Sequence, residues 1–209
     1  LKPTATESDI VRLCEEARAF DFYAVCVNGC WTATCKQLLK DTQVAVATVV
    51  GFPLGAMATE AKVAEAKQAV ADGADEIDMV MNIGWFKTGN YAAVEHDIRE
   101  VKQAIGKRIL KVILETGSLN NEEKESATDI ACKAGADFVK TSTGFGPRGA
   151  TIDDVVLMKA IASGRARVKA SGGVKDQAAA IAYIQHGADR IGTSSGVAIV
   201  TGAASDKSY

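Results

Sequence analysis

Histidine, a common ligand of catalytic metals, is scarce in this sequence. Its 209 residues include only two histidines, His96 and His186, and both fall in segments of predicted helix. A catalytic metal centre needs several such ligands close together at strand ends, so metal-dependent chemistry is disfavoured. The five cysteines are odd in number and show no Cys-x-x-Cys spacing. This pattern argues against a disulfide framework and indicates a reducing, cytoplasmic environment.

Signals for membranes, secretion and polyanion binding are missing as well. No apolar run is long enough to cross a bilayer, and no segment resembles a signal peptide. The formal net charge is only -2, so neither nucleic acid nor an anionic membrane is expected as a partner. The sequence also begins without an initiator methionine, from which we expect that it starts inside the native chain.

The sequence does contain a regular alternation of short, β-branched runs and longer amphipathic segments. The short runs are almost continuously apolar, as parallel strands buried on both faces must be. Seven strands are predicted, at Tyr23–Asn28, Val44–Phe52, Glu76–Asn82, Leu110–Thr116, Phe138–Thr143, Arg167–Gly172 and Arg190–Ser194. The segments of helical periodicity include Glu60–Ala71, Tyr91–Ile105, Glu122–Ala134 and Ile152–Ala162.

Three helical segments end in the same motif, x-Gly-Ala-Asp, at residues 72–75, 134–137 and 186–189. The glycine suits a helix C-cap, and the Ala-Asp pair leads into the next strand. The motif therefore indicates a weak internal repeat of one βα unit.

Eight alternating βα units predict a (β/α)8 TIM barrel, formed as a single domain over residues 1–209. Eight helix candidates can be counted, but only seven full strands. The segment Leu1–Pro3 is therefore predicted to be the tail of a first strand that is truncated at the N-terminus. An open doubly wound sheet is the alternative, although no Gly-x-Gly-x-x-Gly motif follows the first strand.

Two consecutive strands each carry a lysine followed two residues later by serine, at Lys140 and Lys169. If the strands pair in similar register, the two ammonium groups face each other inside the barrel. Burial and mutual repulsion would then depress at least one lysine pKa, as a nucleophile that attacks a carbonyl requires. The alternative is that these lysines reach solvent or form structural ion pairs.

Asp78 is the best candidate for a group that manages protons, because it lies within an otherwise apolar strand. A structural role, in which Asp78 neutralises a nearby lysine, is compatible with this function. Lys111 lies on the following strand and is predicted to neighbour Asp78, either as a structural ion-pair partner or in catalysis.

A phosphate site is predicted from the glycine- and serine-rich ends of the last strands. Such loops let backbone N–H groups approach an anion at the C-terminal face of a barrel. The candidate segments are Ser171–Gly173 and Gly192–Gly196, and Thr143 and Gly144 are expected to add further donors.

With these motifs in place, the chain resembles the deoxyribose-phosphate aldolase family over nearly its whole length. The resemblance rests on eight segments, of which Lys140–Gly144 is the most specific: Leu1–Pro3, Val25–Asn28, Gly51–Gly55, Asp75–Val80, Lys111–Gly117, Lys140–Gly144, Lys169–Val174 and Gly192–Ser195. It implies a class I aldolase without metal or organic cofactor, which reversibly cleaves 2-deoxy-D-ribose 5-phosphate to acetaldehyde and D-glyceraldehyde 3-phosphate.

The resemblance also implies roles that spacing alone cannot assign. It makes Lys140 the Schiff-base lysine, Lys169 its perturbing neighbour and Asp78 the proton relay. The phosphate-binding residues that it implies are Gly144, Gly172, Gly173, Gly192, Ser194 and Ser195. Tyr209 is a candidate participant, since some family members end in a mobile tyrosine. The family's opening Asp-His-Thr-Leu is absent, so the role of its aspartate is not assigned to any residue here.

Alternatives to this function remain at the level of sequence. One is another Schiff-base lyase or a transaldolase-like enzyme acting on a different phosphorylated sugar. Another is a catalytically inactive phosphate-binding barrel that serves as a sensor or scaffold. Barrels of this type often self-associate, and the sequence leaves a homo-oligomer open.

Overall fold

The computed structural model describes residues 1–203, and these form one parallel sheet surrounded by helices. Tyr209 lies outside the described residues. The strands are β1 (Ala24–Val27), β2 (Ala45–Val50), β3 (Glu76–Val80), β4 (Ile109–Ile113), β5 (Phe138–Lys140), β6 (Arg167–Ser171) and β7 (Arg190–Gly192). The seven predicted strands are thus all confirmed.

Strand order distinguishes the two architectures that the sequence allowed. The strands pair in strict chain order from β1 to β7, and all pairs are parallel. A doubly wound sheet would reverse direction at a switch point, and this sheet does not. The barrel prediction is therefore confirmed.

The sheet is strongly curled, as contacts between distant strands demonstrate. Arg190 on β7 binds Glu76 on β3, although strands four positions apart in a flat sheet would be separated by about 19 Å. The guanidinium of Arg190 also lies 3.9 Å from the ring centroid of Tyr23, directly before β1. Side chains on the concave face therefore meet at the centre of an open barrel.

Nine α-helices cover the outside of the sheet within residues 1–203. They are α1 (Glu7–Ala19), α2 (Thr32–Leu38), α3 (Thr59–Ala71), α4 (Ile83–Lys87), α5 (Tyr91–Ile105), α6 (Asn121–Lys133), α7 (Ile152–Ala162), α8 (Gln177–Gln185) and α9 (Gly196–Thr201). None of these helices has the length and apolar character needed to span a membrane. The larger apolar core lies between the sheet and helices α3 to α7, and includes Met79, Ile98 and Leu110.

Several strands were predicted to end too late: β4 ends at Ile113 instead of Thr116, and β5 ends at Lys140 instead of Thr143. The strand predicted to end at Asn82 ends at Val80, because the Asn82 side chain accepts a hydrogen bond from Trp85 N and caps the additional short helix α4. Leu1–Pro3 form no strand in the part of the chain that the structure describes, and within it β1 and β7 are the unpaired edges of the sheet.

The x-Gly-Ala-Asp repeats fasten the N-terminal rim of the barrel in the same way three times. Each aspartate accepts a hydrogen bond from a backbone N–H of the preceding strand and binds a lysine of the helix before that strand. The three sets are Asp75 with Val46 N and Lys36, Asp137 with Leu110 N and Lys102, and Asp189 with Val168 N and Lys159.

Two of the three repeat glycines leave room for the lysine, whereas a Cβ at Gly135 would make an ordinary contact with Lys102 Cγ at 3.5 Å. A Cβ at Gly73 would lie 2.7 Å from Lys36 Cγ, and a Cβ at Gly187 would lie 3.0 Å from Lys159 Cγ. Both glycines also have positive φ, of 99° and 105°, which favours glycine at the helix end. The weak repeat in the sequence thus corresponds to a contact that recurs three times at the N-terminal rim. We call each set of aspartate, backbone N–H and lysine a rim clasp.

Candidate active site

Three lysines converge on Asp78 at the centre of the concave face. Lys140 Nζ and Lys169 Nζ lie 2.9 Å and 2.8 Å from the same oxygen, Asp78 Oδ2. Lys111 Nζ lies 2.6 Å from the other oxygen, Asp78 Oδ1. The side chains of Asp78 and Lys111 have no exposed surface, and the other two lysines are at least nine-tenths buried.

Strand register explains why the lysine pair meets. Lys140 on β5 is the direct partner of Lys169 on β6, so the two side chains leave neighbouring strands at the same height. The facing lysines predicted from the sequence are therefore confirmed. Asp78 and Lys111 are likewise paired between β3 and β4, which confirms that Lys111 neighbours Asp78.

Burial and charge act differently on the two facing lysines. Burial lowers the pKa of Lys140, and attraction by Asp78 offsets this only in part while the neighbouring Lys169 lowers it further. Burial also acts to lower the pKa of Lys169, but attraction by Asp78 and other anionic groups raises it above its ordinary value. Lys140 is therefore the lysine that more readily becomes a neutral amine.

The carboxyl group of Asp78 is kept in its ionised form by the lysines around it. Burial alone would raise the pKa of Asp78, but Lys140, Lys169 and Lys111 together keep it well below its usual range. A carboxylate that contacts two ammonium groups through one oxygen offers a short route for proton exchange between them. Cys26 on β1 lies at the edge of the cluster, with its Sγ 4.0 Å from Asp78 Oδ2.

A second carboxylate extends the cluster toward the N-terminal rim. Glu76 Oε2 lies 2.6 Å from Lys111 Nζ and 2.7 Å from Arg190 Nη1. The guanidinium of Arg190 lies against the rings of Tyr23 and Phe138, at 3.9 Å and 4.8 Å from their centroids. Because Lys111 bridges both carboxylates, it holds one oxygen of Asp78 and leaves the other to the facing lysines.

The serines that follow the lysines have a structural role in these contacts. Ser171 Oγ donates to Ser142 O at 2.7 Å and so ties β6 to the end of β5. Ser142 Oγ is buried and has no hydrogen-bond partner among residues 1–203.

The predicted phosphate-binding loops lie side by side at the C-terminal face. A Cβ built on Gly172 would lie 3.8 Å from the Cα of Gly144, so the loops after β5 and β6 touch. Thr193 Oγ1 donates to Val174 O at 2.6 Å and joins the loops after β6 and β7. The structure thus brings the predicted residues of three loops together.

The loop residues differ in what their backbone provides. Gly144, Gly172 and Gly173 have φ values of 91°, 82° and 80°, and a Cβ at Gly173 would meet nothing within 4 Å. Gly192 has another constraint, because a Cβ there would lie 2.9 Å from Lys169 Cε. Ser195 precedes the first residue of α9, and Ser194 lies in the same turn. Gly192 therefore leaves room for the side chain of Lys169.

Arg190, which binds Glu76, and Glu115, which binds the turn after β5, were not predicted as site residues from the sequence. Arg190 precedes Gly192 by two positions in β7, so strand periodicity places both on the same face and could have found it. Glu115 carried no such signal, because its position depends on a left-handed backbone conformation at the end of β4. Within residues 1–203, no group of three or more His, Cys, Asp or Glu side chains could hold a metal ion.

Comparisons with known proteins agree with this architecture. A family model described as DeoC/LacD family aldolase matches residues 1–202. Deoxyribose-phosphate aldolase 1 of Bacillus licheniformis is 53% identical over 210 residues, covering 100% of this chain and 94% of the relative. Deoxyribose-phosphate aldolase of Finegoldia magna is 54% identical over 202 residues, covering 97% of this chain and 95% of the relative.

A solved structure with the same fold comes from Aeropyrum pernix. It is described as a unique tetrameric structure of deoxyribose phosphate aldolase, with a TM-score of 0.87, 32% sequence identity and coverage of 96% of this chain and 85% of that chain. The curled parallel sheet with its alternating helices is thus a TIM-barrel type of fold, which this chain shares with that aldolase. This chain belongs to the DeoC/LacD aldolase family.

Proposed function

We propose that this protein is a deoxyribose-phosphate aldolase that uses a Schiff base. It reversibly cleaves 2-deoxy-D-ribose 5-phosphate to acetaldehyde and D-glyceraldehyde 3-phosphate. The observation that carries the proposal is the pair of buried lysines that share one oxygen of Asp78. The full-length similarity to proteins named deoxyribose-phosphate aldolase supports the choice of substrate.

In this mechanism Lys140 is the nucleophile. Its neutral amine attacks C1 of the open-chain aldehyde, and loss of water gives an iminium ion. A base then takes the proton of the C3 hydroxyl, the C2–C3 bond breaks, and its electron pair moves toward the iminium nitrogen to give an enamine. D-Glyceraldehyde 3-phosphate leaves, C2 of the enamine takes a proton, and water hydrolyses the new iminium ion to release acetaldehyde.

Lys169 and Asp78 assist the proton transfers of this reaction. Lys169 stays charged, so it depresses the pKa of Lys140 and can supply a proton. Asp78 contacts both ammonium groups and can pass a proton from one to the other. The opposite directions of the two lysine pKa shifts support the assignment of Lys140, rather than Lys169, as the nucleophile.

The phosphate group binds at the three joined loops. Its ligands in this proposal are the backbone and hydroxyl groups of Gly144, Gly172, Gly173, Gly192, Ser194 and Ser195. The positive φ of the first three and the open space at Gly173 support this placement, because backbone N–H groups can then approach an anion closely.

We further propose that residues 1–209 work as a single barrel domain in the cytoplasm. Five free cysteines support a reducing compartment. The tetrameric relative supports a homo-oligomer, which light scattering in solution would measure.

Reductive trapping tests the proposed function. Acetaldehyde and borohydride should convert the imine at Lys140 into a stable ethyl-amine, which peptide mass spectrometry would locate. Lys140→Met should abolish the adduct, whereas Lys169→Met should slow its formation but leave its position unchanged.

Two results would contradict the proposal. One is an active preparation that gives no adduct at Lys140, and the other is an adduct on Lys169 alone. Trapping with competing phosphorylated sugars would separate deoxyribose 5-phosphate cleavage from another Schiff-base reaction.

A further inference from the structure

Glu115 has an unusual backbone for a residue other than glycine. It lies just beyond β4 with φ 57° and ψ 60°, in the left-handed region, and it is only 4% exposed. Such conformations cost free energy and persist where surrounding contacts enforce them, often at functional sites. The contacts of its side chain indicate what the conformation achieves.

The carboxylate of Glu115 binds the turn that follows the Lys140 strand. Glu115 Oε2 accepts hydrogen bonds from the backbone N–H of Thr143, at 3.2 Å, and from the Thr143 hydroxyl. Thr143 Oγ1 in turn accepts from Phe145 N at 3.0 Å. A Cβ at Gly146 would lie 2.6 Å from the Glu115 carboxyl carbon, so the turn is closed tightly over this group.

The far end of the same segment is fastened separately. Arg148 Nη1 donates to Asp154 Oδ2 at 2.5 Å, and Arg148 Nη2 donates to Asp154 Oδ1 at 3.1 Å. Thr116, the residue after Glu115, donates its hydroxyl to Asp154 Oδ2 at 2.9 Å. The segment 143–148 is thus held by Asp154 at its far end and by Glu115 at its near end.

The near end of this segment includes Gly144, which lies beside Gly172 in the joined loops. We propose that Glu115 is a positioning residue that fixes Thr143 and Gly144, so that the Gly144 backbone recognises the phosphate group of the substrate. This inference rests on the proposed aldolase function. Glu115 acts through Thr143 and takes no part in imine chemistry at Lys140.

Steady-state kinetics with two substrates test the role of Glu115. Glu115→Asn keeps a residue that tolerates the left-handed conformation, but its side chain is one methylene too short to reach Thr143. We expect its KM for deoxyribose 5-phosphate to rise about tenfold, the effect of losing well-formed hydrogen bonds. Its kcat/KM for unphosphorylated 2-deoxyribose should stay within about twofold of the original, because imine formation is untouched.

Three further variants make the test specific. Glu115→Gln keeps an oxygen that can accept both bonds from Thr143, so it should return KM to within about threefold of the original value. Thr143→Val removes the hydroxyl that donates to Glu115 and accepts from Phe145 N, and it keeps the backbone N–H of Thr143. It should also raise the KM for deoxyribose 5-phosphate, and it provides the test should Glu115→Asn fail to fold. Asp75→Ala weakens a rim clasp far from this segment, so it should lower thermal stability without altering the ratio between the two substrates.

The outcomes separate this inference from the proposed function. Equal losses on both substrates, or an unchanged KM for the phosphorylated one, would overturn the role of Glu115. A failure to trap acetaldehyde on Lys140 in the unaltered protein would instead overturn the aldolase mechanism.

Discussion

The rim clasps and the central lysine cluster both pair lysines with aspartates, but their construction differs. At the rim, each aspartate meets one lysine and also accepts a backbone N–H, and the Lys159–Asp189 pair keeps 42% and 29% of its side chains exposed. At the centre, Asp78 meets three lysines and the carboxylate has no exposed surface. In each rim clasp one lysine is matched by one aspartate, whereas cations outnumber carboxylates at the centre.

This difference indicates that the rim clasps contribute stability, whereas the central cluster contributes chemistry. Exposed, matched pairs that also satisfy backbone groups stabilise the strand ends at little desolvation cost. A buried excess of ammonium groups costs stability and depresses a lysine pKa. In TIM barrels the C-terminal side of the strands usually carries chemistry and the N-terminal side carries stability. Substitutions in the central cluster should therefore affect catalysis most, and substitutions in the rim clasps should affect stability most.

The largest effect is expected from Lys140→Met. It removes the proposed nucleophile, so cleavage of deoxyribose 5-phosphate should fall by at least about 1,000-fold. Its thermal stability should be unchanged or higher, because the change replaces a buried ammonium group with an apolar chain while Asp78 keeps Lys111 and Lys169. Calorimetry and a coupled assay for D-glyceraldehyde 3-phosphate would measure both properties. A large loss of stability with Lys140→Met would mean that the cluster is mainly structural.

The rate of imine formation should rise at a lower pH than it would with a lysine of ordinary pKa. The folded pKa of Lys140 is lowered, so the neutral amine, and with it the rate, should increase as pH rises through that pKa and level off below the ordinary lysine value of about 10.4. Cyanoborohydride trapping of acetaldehyde across a pH series would measure this profile.

Two variants should move that profile in opposite directions. Lys169→Met removes a cation that lowers the pKa of Lys140, so the midpoint should shift to higher pH. Asp78→Asn removes the anion that raises the same pKa, so the midpoint should shift to lower pH. If both variants shift the midpoint the same way, the charges do not act on Lys140 as described.

The sequence alone predicted the elements that depend on periodicity. Burial on both faces gives continuous apolar runs, so all seven strands were found, and period-two alternation correctly paired Lys140 with Lys169. The loops of the proposed phosphate site were also brought together as predicted, because parallel strands end at the same rim.

What sequence could not predict depends on tertiary geometry. The two facing lysines lie in similar local patterns, and their pKa shifts differ in direction because different groups surround them. In addition to burial, Lys169 lowers the pKa of Lys140, whereas Asp78 and Glu76 raise the pKa of Lys169. The position of the Glu115 side chain depends on a left-handed backbone conformation, which no periodicity indicates. The contacts of the x-Gly-Ala-Asp aspartates depend on lysines in helices more than twenty residues away in the sequence. Such contacts appear only after the barrel has curled.

The smallest effect is expected at the rim, where Asp189→Ala and Lys159→Met divide one clasp into its parts. Asp189→Ala leaves the N–H of buried Val168 without its acceptor, so the free energy of unfolding should fall by about 1–3 kcal/mol. Lys159→Met keeps an apolar stem over Gly187 and leaves that backbone bond intact, so it should cost at most about 1 kcal/mol, and less at high salt. Urea unfolding at two salt concentrations would measure both, with trapping at Lys140 unchanged. Equal losses would mean that the ion pair, rather than the backbone acceptor, holds the rim together.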